Sequence, residues 1–340
     1  FSSRRRHTRY ISVTGVQTCA LPIFLSFLLH QKMSKSVVYQ SIRLCRFDMH
    51  HSIVHVRYCT FAKVTNHTTN RERQKNMSLA HHSDHKTRYQ QQYQNARNYL
   101  IPFISQTMSL DNNTNVLDIG CGDGGVMGAL LDRGCHTTGI ELNTFKFQYS
   151  NENLSAHLQT GLAKLININV YEEEALASLK DQFDLIVLKD VIEHIPNQEK
   201  FIPYIMQFLK PGGRIFFGFP PWYMPHGGHQ QICNSKLLGF LPYFHILPRF
   251  MYKGILRLFG ESDAAITELL EIKDTGISIE RFERIVRKSG YTIEKNQPYL
   301  INPIYQDKFG WKPREQFTII NHIPFIRNFL TTCVYYVIRK

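Results

Sequence analysis

Between residues 85 and 220 the chain alternates short, continuous apolar runs with longer stretches of helical period. The runs fall at 115–119, 136–142, 165–170, 183–188 (FDLIVL) and 214–219 (RIFFGF). Uninterrupted apolar runs of this length suit strands covered on both faces of a parallel sheet. Helical patterns fill the intervals at 126–131, 145–158 and 198–209, the last closed by Pro-Gly-Gly at 211–213. A further helix over 89–104, with Tyr89, Tyr93, Ala96, Leu100 and Phe103 on one stripe, precedes the first run and is placed to cover a cleft at the sheet's edge. Strands alternating with helices predict an α/β, doubly wound, mostly parallel sheet with helices on both faces.

After Phe219 the alternation stops. An aromatic loop punctuated by Pro and Gly runs over 220–233, and residues 236–260 read as one or two apolar helices broken at Pro242 and Pro248. Together they make an inserted helical and loop region at about 221–276. Residues 277–290 form an amphipathic helix with Ile279, Phe282, Ile285 and Val286 on its apolar face. Two closing strands are predicted near 291–294 and 316–320. The segments 244–260 and 323–340 are apolar and basic; they read as core helices with a cationic rim, bilayer contact being the secondary reading.

Charge changes the picture. The formal charge of +13 suggests a nucleic-acid binder, but residues 1–76 hold 13 Lys and Arg against two acids, while residues 77–340 hold 27 against 25. The part with folding signals is nearly neutral and has no long basic run, which argues against a nucleic-acid backbone as partner. The excess belongs to a stretch expected to be foreign or disordered. VTGVQTCALPI at 13–23 is what a common sequencing-adapter oligonucleotide encodes, so residues 1–23 are expected to be translated adapter, with native sequence beginning at Met77. The basic and apolar start mimics a signal peptide but is too short to span a bilayer. Of seven cysteines, Cys121, Cys135, Cys233 and Cys333 lie in the folding part without a CxxC pair, as expected of a reduced, cytoplasmic protein.

The chemistry concentrates at 115–125, NVLDIGCGDGG: an apolar strand, a glycine turn, then a helix. Glycine lets the turn double back and approach a ligand closely. Glu141, after the second strand, is placed to reach the ribose hydroxyls of an adenosine. Gly120, Gly122 and Gly125 fit a dinucleotide pattern, whereas Gly120, Gly122 and Gly124 fit a methyltransferase pattern. Asp118 separates the two, because a carboxylate at the turn repels a pyrophosphate and attracts the cationic S-adenosylmethionine.

With these strands placed, the chain resembles the class I S-adenosylmethionine-dependent methyltransferases of small-molecule, quinone-biosynthesis type. The matching segments are VLDIGCGDGG, GIEL, FDLIVLKDVIEHI and LKPGGRIFFGFP, within about 85–220. The resemblance implies a seven-stranded Rossmann-like sheet whose last strand is antiparallel. It also implies that Asp118, Gly120 and Gly122, with Cys121 and Gly124 in the same loop, hold the methionine end of S-adenosyl-L-methionine. Glu141 would clamp the ribose, and Tyr171 and Glu172 would flank the adenine. Lys189 and Asp190 end the fourth strand beneath the sulfonium.

Methyl transfer from a sulfonium needs mainly positioning, and a hydroxyl acceptor needs a base. His194, one helical turn from Asp190, and His229, in the loop after the fifth strand, are the candidates, with Trp222, Tyr223 and His226 walling the acceptor site. His226, His229 and Cys233, with His245, have metal-ligand spacing, but no metal is expected. The segment after strand four is KDVIEH rather than NPPY, which favours a small molecule methylated at oxygen or carbon. An NAD-type oxidoreductase and a non-catalytic binding protein are the rival readings.

Overall fold

The computed structural model describes residues 84–172 and 176–340; the expectations for residues 1–76 lie outside the described residues. Eight strands form one sheet: β1 Asn115–Ile119, β2 His136–Ile140, β3 Ala163–Ile166, β4 Phe183–Lys189, β5 Leu209–Phe219, β6 Thr292–Ile301, β7 Arg314–Glu315 and β8 Cys333–Arg339. Their order is β3-β2-β1-β4-β5-β8-β6-β7. The first five are mutually parallel. β8 runs antiparallel between β5 and β6.

The α/β doubly wound expectation holds, with corrections at the carboxyl end. Residues 316–320, expected to be a strand, contain instead the short helix Thr318–Asn321. The closing strand is CVYYVIR, within a segment read from sequence as a helix, and it is buried from Cys333 to Ile338. A continuous apolar run has no period by which to choose between buried helix and buried strand. Its β-branched and aromatic residues fit the gap between β5 and β6, where both faces are covered. The eighth strand, β7, is a two-residue edge paired to β6. Pro-Gly-Gly at 211–213 lies inside β5, where pairing jumps from Phe183 with Leu209 to Leu185 with Arg214, so the turn signal produces a bulge.

Alternation along the strands builds two cores. Leu117, Ile119, Ile186, Leu188, Phe217 and Phe219 pack with Phe201 of the helix Gln198–Ile205 and Phe282 of the helix Ile279–Lys288. On the other face Val116, Leu185, Val187, Phe216 and Tyr335 pack with Leu100, Phe103 and Ile104 of the helical stretch 84–104. The latter includes a π-helical segment, Ala96–Leu100. The insertion has its own small core of Leu238, Tyr252, Leu256, Ile266 and Leu269, shared by the helices Lys236–Phe240, Arg249–Leu258 and Asp263–Thr275. The parallel arrangement brings the carboxyl ends of β1, β2, β4 and β5 to one edge, where ligands bind in open α/β sheets.

Candidate active site

Asp118 is the penultimate residue of β1 and is 2% exposed. Its Oδ2 has no hydrogen-bond partner among the described residues. Burial, reinforced by the negative charge of Glu141, pushes its carboxyl up to about 7. Beyond it Gly120, Gly122 and Gly124 all take left-handed backbone. A Cβ on Gly120 would lie 2.7 Å from Val191 Cγ2, so the segment after β4 closes directly on the turn. Glu141 holds the loop from β2: its Oε2 accepts from Gly122 N at 2.9 Å and its Oε1 from Asn143 N at 2.7 Å. Asn167 Nδ2 donates to the Glu141 carbonyl at 2.7 Å. Cys121 turns inward onto Met127 and Leu131, and burial holds its thiol well above the ordinary range, so only its backbone serves the loop.

A buried carboxylate with an unmet acceptor, beside backbone where a Cβ would clash, fits a cationic ligand lying close to the main chain. S-adenosylmethionine meets that description; an anionic pyrophosphate does not.

The helix over 84–95 closes on the same loop. His85 Nδ1 lies 2.5 Å from Asp123 Oδ1, and Arg88 Nε donates to Asp123 Oδ2 at 3.2 Å. The His85 ring stacks on Tyr149 at 3.7 Å. Gln92 Oε1 accepts from Gly125 N at 3.4 Å. The covering helix was legible in the sequence, but His85, Arg88 and Asp123 were not assigned a role there. Asp123, the acid inside GCGDGG, was the available signal.

Lys189 ends β4 and pairs with Asp190 at 2.6 Å. Burial opposes its charge, but Asp190, Cys333 and Glu193 together hold the ammonium above its usual range. The expectation that Asp190 and His194 share a helix face is corrected: Asp190 has left-handed backbone, and only a 3-10 turn, Ile192–His194, follows. That turn directs His194 to His229 instead, with ring centroids 5.0 Å apart. Burial lowers both histidines. His194 is held well below its usual range, with the His229 charge contributing, and His229 is lowered to about 4, with Asp190 opposing. His229 Nδ1 has no partner among the described residues. Glu193, not singled out from sequence, is buried with neither carboxylate oxygen hydrogen-bonded among the described residues, its Oε1 lying 3.9 Å from His194 Nε2, and burial followed by Asp190 raises it well above the ordinary range.

His226 and His229 line a recess with Asp190, Met224, Asn302 and Tyr305. The wall from Asn302 and Tyr305 comes from the far side of the sheet order and had no sequence signal. Trp222 lies apart from that lining: its carbonyl oxygen is 2.7 Å from His245 Nε2, and its ring meets His245 edge-on at 4.6 Å. Tyr223 is partly exposed, 5.5 Å from Phe329. Tyr171 donates to the Pro196 carbonyl at 2.9 Å and packs against Phe201, while Glu172 is exposed. Among the described residues no group of three His, Cys, Asp or Glu side chains is placed to hold a metal ion.

The family described as "Methyltransferase domain" matches residues 87–231. Among curated relatives, a ubiquinone biosynthesis O-methyltransferase of Dechloromonas aromatica is 32% identical over 34% of this chain and 48% of its own length. One of Coxiella burnetii is 29% identical over 52% of this chain and 72% of its own. The chain thus spans about half the length of the first curated relatives it matches. A geranyl diphosphate C-methyltransferase structure from Streptomyces coelicolor covers 69% of this chain and 74% of its own at 12% identity, with a TM-score of 0.43. The matched span contains β1 to β5, the glycine turn, Asp118, Glu141 and the His194–His229 pair, and residues 87–231 thus match a methyltransferase domain.

Proposed function

We propose that the chain transfers a methyl group from S-adenosylmethionine to a hydroxyl oxygen of a small-molecule acceptor. The observation that carries this is the buried, unpartnered carboxylate of Asp118 beside the left-handed glycine turn. Bound there, S-adenosylmethionine supplies an electrophilic methyl carbon on a positively charged sulfur. Asp118 holds the ligand's cationic end, and Glu141, already fixed by two backbone donors, presents its remaining lone pairs to the ribose. The backbone of 120–124 admits the ligand without a Cβ in the way. The helix over 84–95, tied down through Asp123, excludes water from one side.

At the acceptor side His229 Nδ1 takes the hydroxyl proton. With its pKa lowered to about 4 the ring is neutral at physiological pH and able to accept. Asp190, on the same recess, stabilises the imidazolium that forms, and His194 orients the pair. Tyr223 and His226 border the acceptor, and Tyr171 and Glu172 the adenine. The names of the relatives support oxygen as the methylated atom, and the near-neutral charge of residues 77–340 supports a small molecule over nucleic acid. The four cysteines among the described residues are free thiols, in keeping with a cytoplasmic setting.

The test is transfer of isotope-labelled methyl from S-adenosylmethionine into a cell extract, followed by separation of the labelled products. Label should appear in a small molecule as a methyl ether and vanish with His229→Ala, while S-adenosylhomocysteine still binds. Absence of binding heat with both adenosyl compounds overturns the reading.

A further inference from the structure

The helix Arg249–Leu258 carries three stripes. Tyr252 and Leu256 face its own small core. Arg249, Lys253 and Arg257, spaced by four, form a basic stripe beside them. The outward stripe should be polar on a surface helix, yet it holds Phe250 at 77% exposure and Leu258 at 82%. The neighbouring helix Lys236–Phe240 shares the same core through Leu238 and leaves Leu237 and Phe240 exposed.

A second apolar surface adjoins this one. The segment 317–330 exposes Ile319 at 78% and Phe325 at 68%. Tyr243 joins the two surfaces, donating from its hydroxyl to the Phe329 carbonyl at 3.1 Å. Phe329 in turn packs against Tyr223, on the loop that carries His226 and His229. The apolar surface therefore reaches the loop from which His226 and His229 enter the recess proposed for the acceptor. Exposed apolar patches of this kind mark interaction sites.

Charge selects the occupant. Residues 236–260 contain Lys236, Arg249, Lys253 and Arg257 and no acid, and 317–330 contain Arg327 and no acid. Arg249 and Arg327 are in ion pairs with Asp274 and Glu280. Among the described residues Lys236, Lys253 and Arg257 form no ion pair. Outward apolar side chains beside a basic stripe, with the nearest exposed acids, Asp263, Glu271 and Asp274, on the neighbouring helix, match the interfacial region of an anionic bilayer. Among the described residues no helix is long and apolar enough to cross a membrane, so the contact is peripheral. We propose that this face docks the protein on anionic lipid, with Phe250 and Leu258 entering the interface, Lys253 and Arg257 meeting headgroups, and the acceptor recess opening beside the lipid surface.

The test is co-sedimentation of the full chain with phosphatidylcholine vesicles, with and without phosphatidylglycerol. Binding to the anionic vesicles is expected, weakening as salt is raised. K253Q/R257Q should weaken it by about 30-fold. F250E/L258E should abolish it, and both variants should bind S-adenosylhomocysteine as the parent does. Since that readout is independent of lipid, failure of docking is separable from failure of the methyltransferase reading. No sedimentation with anionic vesicles, or sedimentation that both double variants leave unchanged, overturns the proposal. So does a stable dimer by light scattering that F250E/L258E dissociates in the absence of vesicle binding, because a second copy would then be the occupant.

Discussion

The imidazole rings of His194 and His229 lie 5.0 Å apart and tilted by 43°, one from the turn after β4 and the other from the loop after β5. Adjacent parallel strands bring their carboxyl ends together, so residues remote in the chain meet at the edge where the cofactor loop lies. If His229 is the proton acceptor and His194 its orienter, His229→Ala lowers kcat by about 100-fold or more. His194→Ala should lower it less. Steady-state kinetics beside calorimetry with S-adenosylhomocysteine checks this: equal losses, or lost cofactor affinity in either variant, would assign the pair to the scaffold.

If Asp118 holds the ligand's cationic end, it sets the pH dependence of cofactor binding. A cationic ligand prefers the ionised carboxylate, and the free protein holds its proton up to about pH 7. Affinity for S-adenosylhomocysteine should be flat above that pH and fall about tenfold per unit below it, with protons released on binding. Calorimetry in buffers of different ionisation heat measures that release.

The same carboxyl works against the unliganded fold. Its folded pKa, about 7, lies above the unfolded 3.8, so its contribution to stability is fully present below 3.8 and is lost as pH rises through 7. Asp118→Asn should therefore stabilise the ligand-free protein at pH 8, by about 4 kcal/mol at most, while weakening the adenosyl ligand. Chemical denaturation at pH 5 and pH 8 measures the difference: stabilisation should be clearly larger at the higher value.

His245 makes the opposite contribution. It is fully buried, its Nε2 is 2.7 Å from the Trp222 carbonyl oxygen, and burial lowers its pKa to about 4. Its folded value lies below the unfolded 6.5, so stability is complete above 6.5 and is lost as pH falls toward 4, by about 3 kcal/mol at most. His245→Gln keeps an amide donor for the Trp222 carbonyl and should flatten the acid limb of a Tm-against-pH curve. An unchanged limb would place the acid sensitivity elsewhere.

Gly125 is where the covering helix touches the cofactor loop. An added Cβ would lie 2.5 Å from the Tyr89 carbonyl oxygen and 2.6 Å from Gln92 Cβ, so either the helix or the turn must move. Gly125→Ala is expected to cost about 1–3 kcal/mol. It should also open the Arg88 peptide bond to trypsin, which S-adenosylhomocysteine would no longer protect. Parent-like proteolysis would show that the helix yields without leaving its seat.

The sequence by itself determined the parts that rest on local rules. Five short apolar runs alternating with helical patterns predict parallel strands, because the runs are too short for buried helices and the helices between them supply the crossovers. The glycine turn, Asp118 before it and Glu141 after the next strand were legible as one cluster, because their spacing along one βαβ unit brings them together. The tertiary structure decided what depends on neighbours from elsewhere in the chain. It made CVYYVIR a strand, because the space between β5 and β6 is filled by pairing on both edges, which no periodicity in a wholly apolar run reveals. The left-handed backbone at Asp190 turned His194 away from the expected helix face and toward His229. Above all, the structure distinguished the covered apolar residues from the uncovered ones: Tyr252 and Phe250 are equally apolar in sequence, and only packing against the insertion's own core buries the first and leaves the second in water.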